Sequence, residues 1–180
     1  KQIKKIVLVY NKKDTKQVKS LKLQNIKLIT GGNTRQQSTF NALNFLKSQK
    51  GVSKVLIHDA ARPNFSSKLF SSIIKNMKNF NAVVPKIKIR DAIKQIIDSS
   101  KDEYIVGKKR DNLFLTQTPQ AFVLKEIYHL HKTNSDKYKD DDISLYMNLN
   151  KVKFIEGEIS NFKITEFSDF ENLKNIYKSK

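Results

Sequence analysis

Cysteine is absent from the 180 residues, so disulfides and thiolate metal sites are excluded from the outset. Long apolar runs are absent too. No stretch approaches the roughly 20 consecutive apolar residues that a membrane span requires, and no signal-peptide pattern opens the chain. The expectation is a soluble, cytoplasmic protein with no membrane partner. Acids are scarce, 17 against 35 lysines and arginines, leaving a formal charge of +18 that suggests an anionic partner. Arginine is scarce within that basic set, occurring only as Arg35, Arg62, Arg90 and Arg110. The excess is lysine, spread along the whole chain among many Asn and Ile. That is biased composition rather than a coherent basic surface, and it argues against nucleic acid as the partner.

What remains is a chain of ordinary apolar content, 38%, long enough for one domain with a sizeable core. Strands are expected at Lys4–Tyr10, Ile26–Ile29, Lys54–His58 and Ala82–Ile87. Helical periodicity lies between them: from Thr34 with Phe40, Leu43 and Leu46 inward, and from Ser66 or Ser67 with the stripe Leu69, Phe70, Ile73, Ile74 and Met77. This alternation implies an α/β fold with a mostly parallel sheet and packed helices. Over residues 86–116 the rhythm changes to alternating charged and apolar residues, ending in a strand at Leu113–Leu115. That segment reads as an antiparallel ribbon projecting from the sheet, which needs a second surface to pack on. Beyond it, Gln120–His131 and Asp142–Leu149 read as helices and Val152–Glu156 as a strand. Ser168-Asp169-Phe170-Glu171 carries a capping-box signature for a last helix.

The segment that points most directly to chemistry is Val55-Leu56-Ile57 followed by His58-Asp59-Ala60-Ala61-Arg62-Pro63. An apolar strand that ends in an acid, two small residues and an arginine opens onto a site, because parallel sheets bind ligands at the carboxyl ends of their strands. Asp59 can hold Mg²⁺, Ala60 lets a ligand approach the backbone, and Arg62 can grip phosphate. His58 reads as structural. Gly31-Gly32-Asn33-Thr34-Arg35-Gln36-Gln37-Ser38 follows a strand and opens a helix, which suits either contact to a nucleotide or a plain capped turn. It lacks the spacing of a P-loop or a dinucleotide fingerprint. His129 and His131 fall on different helix faces and make no metal pair. Asp140-Asp141-Asp142 reads as an exposed, acid-rich helix start, and Lys108-Lys109-Arg110 as a dense positive spot ending the ribbon.

Together GGNTRQQSTFNAL (31–43), VLIHDAARPNF (55–65), IRDAIK (89–94), LTQTPQAF (115–122), DDDISL (140–145) and NFKITEFSDFENL (161–173) resemble the 2-C-methyl-D-erythritol 4-phosphate cytidylyltransferase family, in the family's order and over almost the entire chain. The resemblance implies a Rossmann-like, GT-A-like nucleotidyltransferase fold, with helices on both faces of the sheet and a dimerisation ribbon at 86–116. It implies transfer of CMP from CTP to methylerythritol phosphate with release of pyrophosphate, in non-mevalonate isoprenoid synthesis. By the same resemblance Gly32, Asn33 and Ser38 would contact the cytidine nucleotide, with Ala60 near the ribose and Asp59 on Mg²⁺. Arg110 and Lys163 would position the acceptor phosphate, with Arg62 helping, and the ribbon would make a homodimer.

The chain also departs from the family pattern. Ala92, Asn33 and Asp140 stand where Thr, Asp and Thr are frequent. The family's N-terminal Gly-rich loop has no counterpart, and a start at Lys1-Gln2 without methionine reads as a cut inside a larger protein. The loop is therefore expected upstream, and the isolated chain is expected to be incomplete for catalysis. In some members the domain is fused to the pathway's cyclodiphosphate synthase. The alternatives are a ribitol-5-phosphate-type cytidylyltransferase, a non-catalytic nucleotide-binding module and a basic RNA-associated protein.

Overall fold

The computed structural model describes residues 3–98, 100, 103–106, 109–134, 140–146 and 151–178. The chain forms two compact units, Lys1–Ile57 with Ala121–Val152 and His58–Gln120 with Lys153–Lys180. Among the described residues, no helix is long and apolar enough to cross a membrane.

In the first unit, β1 (Ile6–Tyr10) and β2 (Ile26–Thr30) pair in parallel, from Ile6 opposite Ile26 to Tyr10 opposite Thr30. The short helix α1 (Thr15–Ser20) lies between them in sequence. Helix α2 (Arg35–Lys47) starts where expected, because the Thr34 hydroxyl accepts the Gln37 N–H at 3.0 Å and satisfies an otherwise unpaired donor. Its inward residues Leu43 and Leu46 are buried, and Phe40 stacks on Tyr128 with ring centroids 5.5 Å apart. Strand β3 (Lys54–Ile57) lies beside β8 (Gln120–Val123), and α4 (Leu124–Thr133) packs against α2. The Leu124 N–H donates to the Ser53 carbonyl at 2.9 Å where β8 turns into α4. Phe122, Ile127, Ile143 and Tyr146 complete this core, with the Phe122 and Tyr146 rings 5.5 Å apart.

In the second unit, the Ser66 hydroxyl caps α3 (Ser67–Asn76) by accepting the Leu69 N–H at 3.0 Å. The stripe Leu69, Ile73 and Met77 is buried, and α3 packs on β4 (Ala82–Lys88). Ala82, Val83 and Val84 of β4 are fully enclosed, the burial expected of a central strand. β4 pairs antiparallel with β7 (Phe114–Thr116), and β9 (Val152–Glu156) also pairs with β4. The 86–116 segment thus begins and ends in the β4–β7 pairing. Between them β5 (Lys94–Asp98) and β6 (Glu103–Val106) form a separate antiparallel hairpin, irregular between Ile96 and Asp98. The last helix, α5 (Phe167–Lys178), leaves Phe167, Phe170 and Tyr177 exposed.

Three expected elements differ. Gln120–His131 is not one helix: its first four residues are β8. Gln120, Ala121 and Phe122 are fully enclosed, and burial on both sides of a sheet overrides a short helical period that ran through them. The Asp142–Leu149 helix is a single 3₁₀ turn at Ile143–Leu145, and 147–149 lie outside the described residues. The capping signature is real but shifted. Asp169, inside α5, accepts the N–H groups of Thr165 and Glu166 at 2.9 and 3.1 Å, so the reach-back bond of a capping box forms two residues earlier. The turn expected at Ser99–Asp102 falls mostly outside the described residues.

Because Phe122 has no exposed surface, Phe122→Ala should leave a cavity in the first unit. Urea unfolding should register a loss of about 3–5 kcal/mol.

Candidate active site

The strand end read from sequence is built around one hydroxyl. Past β3, the Asp59 N–H donates to Thr118 Oγ1 at 3.0 Å, and His58 Nδ1 lies 3.0 Å from the same oxygen. His58 Nε2 lies 3.0 Å from the Arg62 carbonyl, which can only accept. The Arg62 carbonyl therefore places a proton on Nε2, and in the neutral ring Nδ1 receives the Thr118 hydroxyl proton. Burial pushes the His58 pKa down, as this requires, and its ring meets Phe65 edge-on at 4.7 Å. His58, read from sequence as structural, braces the turn through these contacts.

This frame brings Asp59, Arg62 and Lys163 together. Asp59 Oδ2 lies 3.4 Å from Lys163 Nζ and 3.7 Å from Arg62 Nε. Arg62 is mostly buried. Its Nη1 donates to the Asn161 carbonyl at 2.8 Å, while the buried Nε makes no hydrogen bond. Burial lowers the Arg62 pKa, and the Asp59 charge works against that shift. Lys163 arrives on a segment tied back by the Ile164 N–H to the Ala61 carbonyl at 2.8 Å. Arg62 and Lys163 face a pocket of about 220 Å³ together with Thr116, Gln117 and Phe162. A larger cleft of about 990 Å³ shares Ile87, Leu115 and Ile159 with it and is edged by Arg90 and Arg110. Arg110 Nη1 donates to the Arg90 carbonyl at 2.7 Å, and Ala60 is exposed in the strand-end turn.

Three residues that hold this group were not singled out from sequence: Thr118, Asn161 and Gln117. Asn161 Nδ2 donates to the Thr118 carbonyl at 2.9 Å, and Gln117 Nε2 reaches the carbonyls of Glu158 and Asn161 at 2.8 and 3.2 Å. All three are buried, and each spends its polar atoms on this frame, although Asn161 Oδ1 makes no hydrogen bond. The signal in the sequence was the polar run Thr116-Gln117-Thr118 between two apolar pieces, with Asn161 two residues before Lys163.

The Gly31–Ser38 turn belongs to the first unit. A Cβ at Gly31 would come within 2.8 Å of Ser38 Oγ and 3.3 Å of the Tyr10 carbonyl, so a side chain there would displace the Ser38 hydroxyl. Ser38 Oγ accepts the Gly32 N–H at 3.0 Å and donates to the Thr34 carbonyl at 2.9 Å, while the Asn33 N–H donates to Gln37 Oε1 at 2.9 Å. Asn33 itself is exposed. One reading changes here. Arg35 pairs with Asp142 at 2.6 Å. Asp142 in turn is not part of an exposed acidic start but is buried against Arg35 and His131.

The family described as 2-C-methyl-D-erythritol 4-phosphate cytidylyltransferase matches residues 1–179. The chain belongs to that family. The bifunctional enzyme IspD/IspF of Pelagibacter ubique (strain HTCC1062) is 43% identical over 171 residues, covering 94% of this chain and 45% of the relative. The 2-C-methyl-D-erythritol 4-phosphate cytidylyltransferase of Prochlorococcus marinus (strain MIT 9515) is 41% identical over 153 residues, covering 83% of this chain and 66% of its own. The chain thus spans about half of the first relative's length and about two thirds of the second's. The crystal structure of 4-diphosphocytidyl-2C-methyl-D-erythritol synthase from Anaerococcus prevotii DSM 20548 aligns with a TM-score of 0.82 at 33% identity, over 99% of this chain and 80% of that one. The cytidylyltransferase fold expected from sequence is therefore the fold of this chain.

The neutral His58 predicts a pH dependence. Its pKa is lowered from 6.5 in the fold, so below that value the unfolded chain binds a proton that the folded chain refuses. Stability should be complete above about pH 6.5 and fall as pH drops toward the folded value. Thermal melts between pH 7.5 and 5 should show that slope, and His58→Gln should flatten it.

Proposed function

We propose that this chain acts as a cytidylyltransferase, moving CMP from CTP onto 2-C-methyl-D-erythritol 4-phosphate to give 4-diphosphocytidyl-2-C-methyl-D-erythritol and pyrophosphate. The observation that carries the reading is the Asp59–Arg62–Lys163 group on its Thr118 and Asn161 frame, in a chain of this family. One carboxylate beside two cations, all partly shielded from water, is a grouping suited to phosphate chemistry.

Roles follow from chemical type. Lys163 and Arg62 face the smaller pocket and hold the acceptor phosphate, with Arg110 at the edge of the neighbouring cleft. Arg62 Nε, which makes no hydrogen bond, supplies a donor for a phosphate oxygen. Gly32, Asn33 and Ser38 contact the cytidine nucleotide, and exposed Ala60 leaves the backbone open beside the ribose. Among the described residues no three His, Cys, Asp or Glu side chains cluster as a metal cage. A single carboxylate fits Mg²⁺ nonetheless, since that ion is commonly held by one or two carboxylates together with substrate phosphates. Asp59 would hold it, and when bound it supplies positive charge to the phosphates. The two nearby cations keep the Asp59 carboxylate oriented until then.

We further propose a cytoplasmic homodimer formed through 86–116. Ile96 and Ile97 of β5 are well exposed, an apolar surface that a two-stranded hairpin cannot cover by itself.

Pyrophosphate release by the full-length protein with CTP and Mg²⁺, comparing methylerythritol phosphate with ribitol 5-phosphate, tests the activity and the acceptor. Asp59→Asn should lower kcat/KM by about 100-fold or more, as for loss of one transition-state charge contact. Lys163→Ala should act mainly on KM for the acceptor. Turnover of Asp59→Asn at the wild-type rate would remove Asp59 from the metal role. In sedimentation, replacing Ile96 and Ile97 with Asp should shift the protein toward monomer.

A further inference from the structure

Helix α2 is anchored at its first two residues, each by its own side chain. Arg35 Nη2 donates to Asp142 Oδ2 at 2.6 Å, and Gln36 Nε2 donates to the Asn134 carbonyl at 2.6 Å. The Asp142 side chain has no exposed surface, and its other oxygen lies 2.9 Å from His131 Nε2, on a ring that is also buried. Burial alone would raise the Asp142 pKa. The His131 hydrogen bond and the Arg35 charge outweigh it and hold the carboxylate below its ordinary range. Removing such a carboxylate from water is costly, and an apolar residue of similar volume would pack there at least as well. Something other than burial has to account for it.

The geometry points to Asp142 as a positioning residue for nucleotide recognition: through Arg35 it fixes the first turn of α2, and with it the Gly31–Ser38 turn. The linkage is direct. Arg35 follows Thr34, whose carbonyl accepts the Ser38 hydroxyl, and the same hydroxyl oxygen accepts the Gly32 N–H. Any rotation of the first turn of α2 carries Gly32, Asn33 and Ser38 with it. The inference rests on the nucleotide role given to that turn under the proposed function. Its own content is that base recognition depends on an ion pair to a buried carboxylate, Arg35 with Asp142, that touches no substrate.

Calorimetric binding of CTP and of UTP, with Mg²⁺, to the wild type, Asp142→Asn, Arg35→Gln and the double variant tests this. Each single substitution should weaken CTP binding about tenfold. UTP should be affected less, so the preference for CTP falls. The double variant should be no weaker than the worse single one, as expected for two members of one linkage. Folded variants that bind CTP as the wild type does would overturn the inference. So would equal losses for both nucleotides, because a merely structural role leaves the preference intact. A wild-type protein that binds neither nucleotide would instead overturn the nucleotide role of the turn itself. Should Asp142→Asn fail to fold, Arg35→Gln carries the test, its side chain being 37% exposed.

Discussion

The Thr118 hydroxyl is the constraint on which the strand-end group depends. It accepts the Asp59 N–H while facing the His58 ring, so it holds the chain just past β3. The ring in turn reaches the Arg62 carbonyl, four residues on, and that acceptor sets the tautomer. Asn161 completes the frame: its side chain holds the Thr118 carbonyl and its own carbonyl holds the Arg62 guanidinium. Functional atoms that must stand within a few tenths of an ångström of a working geometry are supported best by groups that are themselves buried and hydrogen-bonded.

Arg62 illustrates why such a frame is needed. A mostly buried guanidinium with one nitrogen lacking a hydrogen bond would be an energetic fault in a purely structural role. Asp59 offsets part of its charge from 3.7 Å, a distance at which attraction persists without a tight hydrogen bond. The carboxylate and guanidinium are thus near enough to stabilise each other without a tight hydrogen bond. Lysine could not replace Arg62 there, since it lacks the planar fork that serves the Asn161 carbonyl and the Asp59 carboxylate together.

Much of this was legible in the sequence because local rules and tertiary demands agree. Thr34 and Ser66 cap helices in the fold as their residue types predicted, and Leu69, Ile73 and Met77 bury the face their spacing marked. The errors arise where tertiary burial decides. Gln120-Ala121-Phe122 carries no strand alternation, yet it becomes a strand because both its sides are covered. Asp142 looks like a solvated acid within a run of three, and only the fold brings Arg35, more than a hundred residues away, to its side. Asp59 and Lys163 could be paired through family resemblance, but nothing local predicts that Asn161 holds Thr118, because that bond joins two loops.

The shortage of acids has a consequence in how the lysines are accommodated. With 17 carboxylates for 35 cations, ion pairing cannot serve most of them. The ammonium of Lys47 instead sits 4.2 Å from the centre of the Tyr128 ring, and those of Lys86 and Lys174 each 4.8 Å from Phe114 and Phe170. Lys27 and Lys153 approach Phe45 and Phe80 in the same way. The negative face of an aromatic ring here does work usually left to aspartate or glutamate. Rings that would otherwise be adhesive patches become counter-charges, and they do not lose that role when the pH falls.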